Sequence, residues 1–210
     1  MTSPELQPLD FALTLMHSRY NILPRDLLAP GPTEQQLHDI LGAAAAAPDH
    51  RQLRPWRFVL VPQAQRARLA EVFGLALLER DANASAQQLE QAREKAHRAP
   101  FLMLAVARLG QGVAHVGTGL QPGTKEAAVS DAERLVSFGC AIQNIVLAAH
   151  AAGFGTGLTS GQALHSARLR TLFRLEPNEQ AVCCINIGTP ATQRAQRLRP
   201  AVADYVSQLS

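Results

Sequence analysis

Apolar side chains recur at helical spacing over residues 9–18, LDFALTLMHS, which predicts an amphipathic first helix. The next stretch, Arg19 to Pro32, carries three prolines, each fixing φ and removing a backbone donor, so it is expected to run mostly extended. Thr33 followed by Gln36 is a capping box. It opens an alanine-rich helix that continues through Ala47, stops at Pro48 and is expected to be buried. Arg57 to Val61 reads as a strand and Phe101 to Ala107 as a second, with amphipathic stretches near 63–80 and 84–98 between them. Ser130 and Glu133 make a second capping box, for a helix running through Ala152 with Gly153 as its C-cap. From Cys140 onward that helix is apolar nearly all round, which predicts burial on several sides, within its domain or against another subunit. A short helix near 163–173 and a third strand, Ala181 to Ile187, complete the pattern.

Composition narrows the class without naming a chemistry. A chain of 210 residues with 47% apolar content can bury one substantial core, and with no repeat, low-complexity tract or linker, residues 1–210 are expected to form a single domain. A formal charge of +3 with scattered basic residues offers no nucleic-acid groove but tolerates an anionic small ligand. The N-terminus lacks a basic region followed by an apolar one, and no run approaching the ~20 apolar residues of a membrane span stands out, so no membrane partner and a cytoplasmic location are expected. Cys140, Cys183 and Cys184 lack metal or redox spacing and read as small buried hydrophobes. Residues 109–124 hold five glycines and no acid, the composition of a long mobile loop, a kind that is usually either functional or disordered.

Local motifs for several chemistries fail on inspection. Residues 153–161 are glycine-rich, but G-x-G-x-x-G is out of register and the segment follows a helix rather than a strand. Gly119 to Lys125 does not meet the phosphate-loop pattern. Gly157-Leu-Thr159-Ser-Gly161 resembles a nucleophile elbow with threonine in place of serine, yet no strand is expected before it, and a hydrolase built on Thr159 stays a distant alternative. Seven histidines show neither H-x-x-x-H nor H-E-x-x-H spacing, so no metal site is expected. Without a nucleophile, metal set or acid-base pair, a bound cofactor that performs the chemistry itself is the consistent reading, and no catalytic side chain is assigned.

Three segments in succession carry a family resemblance: His17-Ser18-Arg19-Tyr20-Asn21, then Ala47-Pro48-Asp49-His50 with Arg54-Pro55-Trp56-Arg57-Phe58, then Gly153-Phe-Gly155 with Leu158-Thr159-Ser160-Gly161. With the Ile187-Gly-Thr-Pro190 ending, this order resembles the nitroreductase family, its compact YdjA-like branch in particular, over roughly residues 9–190. The resemblance implies an α+β fold, a central antiparallel sheet flanked by helices, assembled as an intertwined homodimer with FMN at the subunit interface. It implies that NAD(P)H is the co-substrate and a nitroaromatic, quinone or similar small electrophile the acceptor, in a ping-pong sequence. Residue by residue, it places Arg19, Tyr20 and Asn21 at the phosphate and ribityl chain, and His50 at the flavin from the partner subunit. It places Leu158, Thr159 and Ser160 along the isoalloxazine, with a backbone N–H toward N5, and Arg197 or Arg199 at the phosphate. Departures from the pattern are Tyr20 and Asn21 for a basic residue and a hydroxyl, Arg54 for a glutamine, and Ala46 for an arginine. They keep open a second reading, a flavin-binding or interaction protein of the same fold without turnover. Trp56 and Phe58 are expected to pack in the core rather than stack on flavin.

Overall fold

Strand β3 (Phe101–Arg108) is apolar on both of its faces, and both are covered. The computed structural model describes residues 7–110, 129–192 and 198–209. In it β3 lies between β2 (Trp56–Leu60) and β5 (Glu179–Pro190), and the far edge of β5 pairs with β4 (Gly155–Thr159) and β1 (Leu27–Leu28). Every one of these ladders is antiparallel.

The helices sort by the two-residue period of the strands. Met103, Ala105 and Ala107 face α5 (Asp131–Ala151), which presents Phe138, Ala141, Ile142, Ile145, Val146 and Ala149 to them. Leu102, Leu104 and Val106 face the other way, onto α3 (Arg66–Arg80) through Leu69, Ala70 and Phe73, and onto α6 (Ala167–Leu172) through Leu169. A bulge in β5, where Ala105 pairs with Cys183 but Val106 with Ala181, skips Val182. It therefore puts Ala181 and Cys184 on the α3 face and Cys183 on the α5 face. Burial pushes the Cys183 thiol up to about 11 and Cys184 to about 12, so both pack as neutral small groups. Trp56 and Phe58 pack against the α5 core, the Phe58 ring 6.2 Å from that of Phe138.

Both expected capping boxes form, Thr33 with Gln36 and Ser130 with Glu133, and Gly153 leaves α5 at φ 87°. A third box, Ser85 with Gln88, opens α4 (Ala86–Glu94). The first helix, α1, spans Pro8–Ser18.

Four expectations need correction. The helix from Thr33 is α2 (Glu34–Gly42), shorter than expected; Ala43–Ala46 tighten into a 3-10 turn. Only Ile40, Ala44 and Ala47 of this segment are buried, because just one stripe of it faces the rest of the fold, against α5. Two strands were not expected at all: β1 is only two residues long beside a proline-rich run, and β4, GTGLT, carries two glycines in place of strand-favouring side chains. Helix α5 is, by length and composition, able to cross a membrane, against the expectation that no segment is; here eight of its residues, Arg134 and Ser137 among them, are buried in the fold. Of the glycine-rich stretch 109–124, only Leu109 and Gly110 fall within the described residues, and Arg194 and Arg197 fall outside them.

Arg66 opens α3 in a fully buried position and meets carbonyls instead of a carboxylate. Its Nε donates to Val61 O at 2.8 Å and its Nη1 to Ala96 O at 2.7 Å, with longer bonds to Ala99 O and Pro100 O. The planar guanidinium thus joins the end of β2, the turn after α4 and the entry to β3. An ammonium cannot span that fork. Arg66→Lys is expected to lower stability by about 2 kcal/mol, several degrees in Tm, through the carbonyls left without donors. A melting temperature within 1 °C of the parent, roughly the noise of such a scan, would show that the carbonyls find other partners.

Candidate functional site

Two helix C-termini and one edge strand meet around a cavity of about 390 Å³ lined by Ser18, Arg19, Tyr20, Ile22, His150, Gly153, Phe154, Gly155, Thr156 and Pro190. The segment after α1 is held there by β4. Ile22 N donates to Thr156 O at 2.8 Å, and the side-chain oxygen of Asn21 accepts from Leu158 N at 2.8 Å, so residues 20–22 run parallel to β4 as an added edge. The close approach requires glycine at 157, where a Cβ would overlap the Ile22 carbonyl oxygen.

Arg199 lies over the end of α1. Its Nη2 donates to Arg19 O at 2.6 Å and His17 O at 3.1 Å, satisfying carbonyls that the helix leaves open. The Arg19 guanidinium is half-buried beside it, and burial together with the like charge of Arg199 pulls its pKa down. Among the described residues no carboxylate forms an ion pair with either arginine. His150, in the last turn of α5, shares a 2.8 Å hydrogen bond with Ser18 Oγ; burial first, then Arg19, lowers its pKa, so it is neutral at pH 7. Tyr20 OH donates to Thr192 O at 3.0 Å, closing one side.

The uncompensated cations are the informative feature. Carbonyl ends of α1 and α5 attract positive charge, and Arg199 is placed to answer them. Arg19 is not so used, and a half-buried guanidinium costs desolvation that an arriving anion returns. A phosphate monoester fits this chemistry.

Of the residues singled out from the sequence, the fold brings Arg19, Tyr20, Asn21 and Arg199 together and puts Leu158 next to them. Thr159 and Ser160 follow at the end of β4. Leu158 is exposed and its amide is committed to Asn21, so of the three residues expected to offer a backbone N–H, Leu158 does not have its own to give; Asn21 keeps its NH2 group. Thr159 Oγ1 accepts from the buried Asn186 Nδ2 at 3.2 Å, and that same amide donates to Gly157 O at 3.0 Å. A strand does lead into Thr159, which corrects the ground on which a nucleophile elbow was set aside, yet the hydroxyl accepts from an amide rather than donating to a base. Neither Thr159 nor Ser160 caps the following turns, whose N-caps are Gly161 and Ser166.

His50 lies elsewhere in the chain. It bonds Glu133 Oε1 at 3.0 Å through Nδ1, at the N-terminal end of α5. The rise from Glu133 to His150 is roughly 25 Å at ~1.5 Å per residue, so one chain does not bring His50 to the cavity. Its loop is held taut: Arg51, Gln52 and Arg54 all have positive φ, Asp49 Oδ2 accepts from Arg54 N at 2.7 Å, and Asp49 Oδ1 is buried without a partner. Sequence reasoning missed Ser18, His150 and Thr156 as cavity residues. Ser18 was inside the quoted motif, but nothing local in the sequence pairs it with a histidine 132 positions on.

Comparison with known proteins gives a consistent picture. The family model described as Nitroreductase family matches residues 18–189. A provisionally named NAD(P)H nitroreductase of Haemophilus influenzae is 32% identical over 186 residues, 89% of this chain and 91% of that one. The Escherichia coli protein YdjA, named in the same provisional way, is 30% identical over 167 residues, 78% of this chain and 81% of that one. Among solved structures, a nitroreductase-like family protein from Bacillus cereus superposes with a TM-score of 0.75 at 16% identity, covering 100% of this chain and 98% of that one. An NADPH:FMN oxidoreductase from Vibrio harveyi, complexed with NAD+, gives 0.68 at 18% identity over 94% of this chain and 76% of that one.

Proposed function

The chain belongs to the nitroreductase family, and on that premise we propose that it is a homodimeric, single-domain oxidoreductase using FMN and NAD(P)H. The observation that carries the reading is the half-buried, unpaired Arg19 beside Arg199 in a cavity closed by β4, a place suited to one phosphate at the end of a longer ligand. Bound there, FMN would supply hydride acceptance from NAD(P)H followed by delivery to a nitroaromatic, quinone or similar small electrophile, the two partners taking turns at one place.

The chain's own residues bind and orient. Arg19 and Arg199 hold the phosphate end, the Asn21 amide and Tyr20 border the ribityl path, and Leu158, Thr159 and Ser160 line the isoalloxazine. His50 belongs to the partner's site in this reading, since its own chain keeps it at the opposite end of α5. Supporting a dimer, α1 buries none of its residues and exposes Leu9, Phe11, Leu13 and Met16, while Leu135 and Val136 of α5 and Leu198, Val202, Tyr205 and Val206 near the C-terminus are exposed as well. Apolar surface on that scale marks an interface.

The visible spectrum of purified protein, before and after FMN addition and desalting, tests the reading. A bound flavin spectrum is expected, with about tenfold or weaker FMN affinity in Arg19→Gln, the loss of one charge-assisted contact. A colourless protein that takes up no FMN from excess would defeat it. Steady NADPH consumption with a quinone or nitro compound separates turnover from the second reading, a flavin-binding protein without it, which the altered residues 20 and 21 motivate.

A further inference from the structure

Ser18 and His150 come from different elements, α1 and α5, and meet at 2.8 Å on the wall of the cavity, next to Arg19. The Ser18 hydroxyl otherwise donates only to Leu15 O, at 3.3 Å, a long bond within its own helix turn. That bond can be exchanged for a stronger one at little cost, and with it exchanged the imidazole still holds the oxygen in place. Position 21, where a hydroxyl is expected by resemblance, holds Asn21, whose side-chain oxygen is committed to β4.

We infer that Ser18 and His150 act as a hydrogen-bonded pair that completes the phosphate end of this cavity beside Arg19, supplying from α1 the hydroxyl that position 21 lacks. The inference rests on the proposed function only for the identity of the phosphate ester. A dianion arriving here supplies the negative charge that His150 lacks. Among the described residues, the one charged group acting on His150 is Arg19, with Arg199 behind it; no carboxylate pairs with it, and the neighbouring part of β4 brings Gly155 and Thr156, neither titratable. Burial and Arg19 therefore favour the neutral imidazole when the site is empty, and an arriving phosphate shifts the balance toward the charged form. By linkage, a group whose pKa is raised on binding adds affinity below its bound-state pKa and loses it as pH rises through that value.

Riboflavin, which carries no phosphate, isolates the effect. Affinities of FMN and riboflavin for the full-length protein, read by flavin fluorescence at pH 6 and pH 8, give a ratio that reports the phosphate end alone. The phosphate itself takes up a proton near pH 6, which weakens its hold on the arginines, so the wild-type ratio is expected to fall less from pH 8 to pH 6 than the ratio of His150→Gln does. Relative to wild type, in His150→Gln it should fall about tenfold at pH 6 and lose the extra pH dependence that the imidazole provides; in Ser18→Ala it should fall by a similar factor at both pH values. Riboflavin affinity should stay unchanged in both, which also shows that the fold is retained. Ser18→Ala removes a single half-buried oxygen and keeps the test decisive if the histidine variant fails to fold. The same ratio and the same pH change in wild type and in either folded variant would overturn the inference while leaving the flavin reading intact. A wild-type protein that binds neither flavin would overturn both.

Discussion

Gly157→Ala is expected to lower the melting temperature by roughly 6–12 °C and to weaken FMN binding at least about a hundredfold. The cause is a backbone collision. A Cβ on residue 157 would overlap the carbonyl oxygen of Ile22, an atom that cannot rotate aside as the tip of a side chain can. To relieve it, β4 must part from residues 20–22, breaking the Ile22 N to Thr156 O bond and the Leu158 N to Asn21 Oδ1 bond. Two such bonds and the accompanying strain amount to about 3 kcal/mol. Arg19 and Tyr20 are carried by the same segment, so the anion-binding end moves with it. Gly155 supplies the contrast: a Cβ there meets Ile22 Cδ1 and Leu27 Cδ2, ends of flexible side chains, and Gly155→Ala should cost less. Melting curves and flavin titration of the two variants decide the matter. If Gly157→Ala melts with the parent and binds FMN equally well, the edge formed by residues 20–22 does not hold the site.

Glu179→Ala is expected to cost about 3 kcal/mol, the low end for breaking a buried ion pair, or roughly 6–12 °C in Tm. Glu179 opens β5 with its carboxylate almost fully buried, and it receives Arg57 Nε and Nη2 at 2.6 Å each, Arg108 Nε at 3.3 Å and the Glu176 amide at 3.1 Å. Removing it leaves two arginines without their counter-ion at the junction of β2, β3 and β5. Both arginines are partly solvated, with side-chain exposures of 27% and 44%, which is why the low end applies. Burial by itself would raise the Glu179 pKa, but the hydrogen bonds from Arg57, the Glu176 amide and Arg108 outweigh it and hold it below the ordinary 4.5. A depressed carboxylate pKa contributes stability that is fully present above the unfolded value and disappears as pH falls through the folded one. The gap between parent and Glu179→Ala should therefore be constant near neutrality and close below about pH 4.5. A gap that persists unchanged to pH 3 would assign the loss to packing instead of charge.

Some of the site was readable because its signals are local. Arg19 could be named from its place at the end of a helix, and Arg199 from a basic tail. Tyr20 and Asn21 were named as ligand contacts, yet what the fold does with Asn21 is fasten β4, through a partner 137 positions away. His50 was assigned to a partner subunit from resemblance, and the intrachain geometry, with His50 tied to Glu133, leaves that assignment to a dimer rather than to this fold alone.

What the sequence by itself determined are features written within a turn or two of chain. These include the capping boxes at Thr33 and Ser130, the C-cap at Gly153, and the unbroken apolar run that makes β3 apolar on both faces. Each depends on residues three or four apart, or on a run that no tertiary contact needs to supply. The tertiary structure decided the rest. Strand β4 forms because β5 offers it a ladder and residues 20–22 close on it, despite two glycines that argue against a strand. The skipped residue Val182 sends Ala181 and Cys183, two positions apart, to opposite faces. Ser18 meets His150 only because α1 and α5 end at the same place. Such pairings hold groups far apart in sequence at hydrogen-bond distance, and their energy comes from packing whole elements together, which no local run of residues encodes.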